Sequence, residues 1–105
     1  MGELDSLIEL MKYHLETVET EIVKLERYNN NEVYTRSIIS EIRIMKNNLN
    51  SINRKKVKKI TESIRIISRR LVSIIVEIKD EKIKTVIDKN LREFLALLME
   101  LDNKI

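Results

Sequence analysis

The chain has 105 residues, no cysteine, no proline and one glycine at position 2, and its 20 Lys and Arg against 17 Asp and Glu leave a net charge of +3. That length supports a single domain, residues 1–105, with one modest core. The composition excludes a disulfide framework, a thiolate metal site and a phosphate-cradling glycine loop, and it disfavours a turn-rich β architecture.

Branching and period point in opposite directions. The 17 Ile and 7 Val favour strands by side-chain shape, but they sit three and four apart rather than alternating, so period identifies them as helical. The first helix is expected over residues 4–28, with Leu4, Ile8, Met11, Leu15, Val18, Ile22 and Leu25 as its seam. Asp5 and Ser6 are its candidate N-caps, and Glu3, Asp5 and Glu9 favour the positive end of the helix dipole. Asn29, Asn30 and Asn31 end it, because asparagine tolerates left-handed backbone angles and bonds its own backbone.

A second helix follows over 32–49, with Ile38, Ile42, Met45 and Leu49 in phase. The polar run from Asn47 to Asn53 marks a break, although Ile52 keeps the phase, so a turn and a kink both fit. The third helix, 53–78, carries the longest seam, Val57, Ile60, Ile64, Ile67, Leu71, Ile74 and Ile78. The fourth, 80–103, opens on the candidate cap Asp80 and is lined by Ile87, Leu91, Phe94, Leu98, Leu101 and Ile105. Short links join antiparallel neighbours, so the expected fold is all-α, an up-down-up-down four-helix bundle that oligomerisation could complete. The rival is a pair of long helices that dimerises if one of the breaks is not a turn.

Two features exceed what a core requires. Leu95, Leu97 and Met99 on the fourth helix and Val72, Ile75 and Val76 on the third widen the apolar stripes. They either thicken the core or form a contact with another subunit or partner. Residues 53–70 hold eight basic side chains against the single Glu62, a local +7, whereas residues 3–28 carry seven acids against three bases, a local −4. Arg54, Lys58, Arg65 and Arg69 share one helical stripe with Lys55 beside it, a geometry suited to a phosphate backbone or an acidic partner. The competing reading pairs this segment with the acidic first helix across the bundle and leaves it otherwise a solvated face. No aromatic residue lies between Ile52 and Leu91, so any nucleic-acid contact there should be to the backbone and insensitive to sequence.

Nothing points to catalysis. His14 is the only histidine, no Cys exists, and no Ser sits in a nucleophile elbow, so His14 reads as structural and the protein as non-enzymatic, with no cofactor, metal or small-molecule substrate. No apolar run is long enough to span a membrane, and the start Met-Gly-Glu-Leu-Asp is acidic, which leads to the expectation of a cytoplasmic protein. The bias to Lys, Glu and Ile with no Gln fits a thermophile, against which stand nine Asn.

The order of features resembles the helical A domain of the GINS replication proteins. An amphipathic first helix closes on Val23-Lys24-Leu25-Glu26, a polar segment leads into Val33-Tyr34, and an aliphatic last helix contains Asn90-Leu91-Arg92-Glu93-Phe94-Leu95-Ala96-Leu97-Leu98. The resemblance implies an assembly or adaptor subunit of a DNA replication-like complex, in the family a tetrameric, non-catalytic collar on a ring helicase. It covers only the A domain, departs from the aromatic pair the family often shows at Val33-Tyr34, and transfers no site residue. The alternative from the residues themselves is a small self-associating bundle, of viral or plasmid type, that binds nucleic acid or a regulatory protein directly.

Overall fold

The computed structural model describes residues 2–26, 32–75 and 79–105. They form α1 (Glu3–Glu26), α2 (Glu32–Leu49), α3 (Arg54–Ile75) and α4 (Glu81–Lys104), with no strand among the described residues. Contacts between helices give their directions. Arg36 pairs with Glu26 and Arg43 with Glu19, so α2 runs antiparallel to α1. Arg70 lies over the Tyr34 ring, Arg54 reaches Ile105, and Lys104 reaches Glu3, which makes every adjacent pair antiparallel. The result is the expected up-down-up-down bundle, 41 × 23 × 17 Å. The rival pair of long dimerising helices is overturned, because the chain reverses after Leu49 and again between α3 and α4.

The helix ends show how the polar residues act. Asn53 caps α3 rather than starting it: its side chain accepts the Lys56 N–H at 2.9 Å, and its carbonyl accepts the Val57 N–H. The break is thus a turn at residues 50–53, where the Asn50 N–H donates to the Asn47 carbonyl in the last turn of α2. Asp80 caps α4 from an extended backbone, accepting the Lys82 and Ile83 N–H groups on Oδ1. At α1 the expectation needs correction. Asp5 and Ser6 lie inside the helix, and the Asp5 carboxylate reaches back to accept the Gly2 N–H, satisfying a donor before the first turn. The expected turn at Asn29, Asn30 and Asn31, and the last seam residue Ile78, lie outside the described residues.

One apolar cluster runs through all four helices. Met11, Leu15, Val18, Ile22, Ile38, Ile42, Met45, Ile60, Ile67, Phe94 and Leu101 are fully buried, and each large side chain taken out of water contributes about 1.5–3 kcal/mol. Deviations from the seams occur both at their ends and within the helices. Leu4, Ile8, Ile52, Leu91 and Ile105 are only half-buried, whereas Leu7, Thr35, Ile39, Ser63, Ile83 and Asn90 are buried though outside the expected lines. In the bundle α1 packs along both α2 and α4, and α2 along α3, while α3 and α4 approach each other least closely. α1 and α3 stand across the diagonal. That placement decides where the charge of α3 can go.

Candidate nucleic-acid interface on α3

The core takes one side of α3. Val57, Ile60, Ile64, Ile67, Leu71 and Ile74 are buried, and Arg54, Lys55, Lys58, Lys59, Arg65, Arg69 and Arg70 are all exposed. At 100° per residue, Arg54, Lys58, Arg65 and Arg69 fall within an arc of about 60°, centred nearly opposite Ile67, with Lys55 about 40° beyond it. From Arg54 to Arg69 the stripe rises about 22 Å at 1.5 Å per residue. Glu62 is exposed on the same side and is the one carboxylate α3 sets among these cations.

None of the seven basic residues forms an ion pair among the described residues. Arg54 donates from Nε and Nη2 to the Ile105 backbone oxygen at 3.2 and 3.0 Å, and Arg70 stacks over Tyr34 at 5.8 Å. Lys55, Lys58, Lys59, Arg65 and Arg69 project into solvent. The reading in which this segment neutralises acidic α1 is overturned, and the bundle diagonal is the reason. The α1 carboxylates are taken by α1's own neighbours instead: Glu26 by Arg36 (3.6 Å), Glu19 by Arg43 (3.6 Å) and Lys46 (3.5 Å), Glu16 by Lys46 (4.0 Å), and Glu3 by Lys104 (2.6 Å). Glu19 is the most enclosed of these acids. Its buried Oε1 accepts no hydrogen bond and is held by the Arg43 charge, while Lys46 donates to Oε2. The Lys104 ammonium holds the Glu3 carboxyl below the usual carboxylate range, and Glu3 in turn raises Lys104, each chiefly through their shared hydrogen bond.

The candidate apolar contact residues do not form one strip. Leu97 is half-buried against the core and, with Leu7 and Leu10, lines an open groove of ≈ 270 Å³ between α1 and α4. Met99 and Val72 are each 70% exposed, and Leu95 is marginally exposed at 38%. Leu95 and Met99 face away from α1 on the far side of α4, by about 160° from Leu97 in both cases. The Ile75 side chain and all of Val76 lie outside the described residues. Additional exposed apolar side chains, Leu10, Tyr13, Val23, Val33 and Ile44, lie off the helical seams.

His14 belongs to a buried polar cluster that no sequence spacing signals. Asn90 donates from Nδ2 to the Val86 carbonyl at 2.7 Å, which turns Oδ1 towards His14 as an acceptor for Nδ1–H, also at 2.7 Å. On the other side of the ring Nε2 lies 3.2 Å from a Glu93 carboxylate oxygen. The cluster joins α1 to α4 through residues 76 positions apart. It has no nucleophile beside it, and its geometry is that of a clasp between helices. Among the described residues no group of His, Cys, Asp and Glu is placed to hold a metal ion, and no helix is long and apolar enough to cross a membrane.

The chain shows no significant match to any protein-family model, to any curated protein or to any solved structure.

Proposed function

We propose that this protein is a non-enzymatic helical scaffold of the cytoplasm that holds nucleic acid by its phosphate backbone on α3, as an assembly or adaptor subunit of a nucleic-acid-processing complex. The observation that carries this reading is the exposed basic face of α3, with no carboxylate paired to it anywhere among the described residues. A purely structural basic helix in a bundle gains by pairing with acids on its neighbours, and here the acids of α1 are engaged elsewhere. Unpaired cations on a rigid element release condensed counterions when they meet phosphates, so binding is favourable, independent of sequence and steeply dependent on salt. Exposed Met99, Val72 and Leu95 supply the contact for a protein partner or a second copy. The GINS-like order of features gives the wider role its form, a collar subunit in a replication-like assembly.

Fluorescence anisotropy with labelled nucleic acid of unrelated sequences tests the reading. Binding should appear in low salt with similar affinity for each sequence, and Arg54→Glu with Lys58→Glu should weaken it alike for all of them while helix content stays constant. Glu62→Gln should strengthen it. Binding that is absent in low salt, or survives the double reversal, ends the phosphate reading. Polyglutamate bound as tightly as nucleic acid would make α3 a dock for an acidic protein instead. For the assembly role, a pull-down from the source cell should recover helicase or polymerase components, and recovery of this chain alone would favour the small self-associating bundle.

A further inference from the structure

The arrangement of charge around α3 distinguishes between the two forms of nucleic acid. We infer that the ligand is a B-form DNA duplex, gripped by phosphates on both rims of a groove, rather than a single strand; this rests on the phosphate reading given above. Beside the 60° stripe of Arg54, Lys58, Arg65 and Arg69, the cations of α3 include a second row, Lys59 and Arg70. Arg54 and Arg65 lie on the flank facing α4, Lys59 and Arg70 on the flank facing α2, and Lys58 and Arg69 along the crest between them. The flanks are about 120–160° apart around a helix whose diameter with side chains is about 10–12 Å. That separation is close to the major-groove width of about 12 Å, so a cation from each flank can meet a different backbone of the duplex. A single strand presents only one line of phosphates.

Stiffness and the absence of stacking support the same choice. Core packing at Ile60 and Ile67, both fully buried, fixes the stripe on a helix anchored to the bundle. A fixed array of charges suits a stiff duplex, whereas a single strand must first be ordered to match it. Proteins that bind single strands offset that ordering by stacking bases on aromatic rings, at about 1–3 kcal/mol per base. Among the described residues this face has no ring to offer. Phe94 is fully buried, Tyr13 projects from α1, and the Tyr34 ring is covered by Arg70.

The experiment compares a mixed-sequence DNA duplex with one of its own strands by anisotropy across a salt series, using the full chain. The duplex should bind about tenfold more tightly or better. Its affinity should fall with a log–log salt slope of roughly 4 to 5, as expected for about five phosphates at about 0.9 each. Lys59→Glu and Arg65→Glu, one on each flank and both exposed, should each weaken duplex binding by a similar factor. Equal or tighter binding of the single strand, a slope near 1, or loss confined to one flank overturns the duplex inference and leaves the phosphate reading standing. Binding of neither form removes both.

Discussion

Replacing Asn90 with leucine probes the polar clasp between α1 and α4. The two side chains share branching and number of heavy atoms, so the change deletes hydrogen bonding at the cost of the added bulk of two methyl groups, which His14→Leu with Asn90→Leu also carries. In the native structure Asn90 Oδ1 accepts from His14 Nδ1 at 2.7 Å inside the bundle, and His14 is only 7% exposed. Leucine leaves that N–H buried without a partner, which costs about 1–3 kcal/mol. The Val86 carbonyl loses nothing essential, since it is an acceptor within the α4 ladder. Removing both partners with His14→Leu and Asn90→Leu leaves no orphaned group, because Glu93 is half exposed and reaches water. The double variant should therefore lose less than the sum of the single losses, with a coupling of about 0.5–3 kcal/mol. Urea unfolding followed by far-ultraviolet circular dichroism measures all four proteins. An Asn90→Leu protein as stable as the parent, with the two changes simply additive, would refute the clasp.

The remaining predictions concern the core, caps, surface and one ion pair. Phe94→Ala should cost about 3–5 kcal/mol and Ile67→Ala about 2–5, since both side chains are fully buried; equilibrium unfolding that shows no loss at either site would mean that these seams do not pack. Asn53→Ala and Asp80→Ala should each cost roughly 1 kcal/mol through the loss of cap acceptors, whereas Ser6→Ala, inside α1, should be nearly neutral in the same assay. Leu97→Glu should destabilise the monomer, because Leu97 packs on the core, while Met99→Glu should spare stability and weaken any association seen by sedimentation. Lys104→Ala should raise the titration midpoint of Glu3, followed by NMR. The Glu3 contribution is present above the unfolded carboxyl range and is lost as pH falls through the lowered folded value, and that of Lys104 is lost as pH rises through its raised value. Exposure and salt keep both contributions small.

Helix number, helix phase and most of the core were determined by the sequence by itself. Burial follows from the local 3.6-residue period: once Ile60, Ile64, Ile67 and Leu71 share a face of α3, any packed bundle must cover that face. The same arithmetic put the basic residues on the outside. Caps were harder to read, since Asp5 and Asn53 both suit a helix start and only the actual path of the chain makes Asn53 a cap and Asp5 an acceptor for Gly2. What the tertiary structure alone decided was which helices are neighbours. Opposite net charges on α1 and α3 suggest attraction, but antiparallel packing in chain order puts them across the diagonal, so α1 pairs with α2 and Lys104, and α3 keeps its charge. His14, Asn90 and Glu93 likewise meet only because α4 folds back along α1. Such contacts depend on rotation and register between distant segments, which periodicity within each segment does not contain.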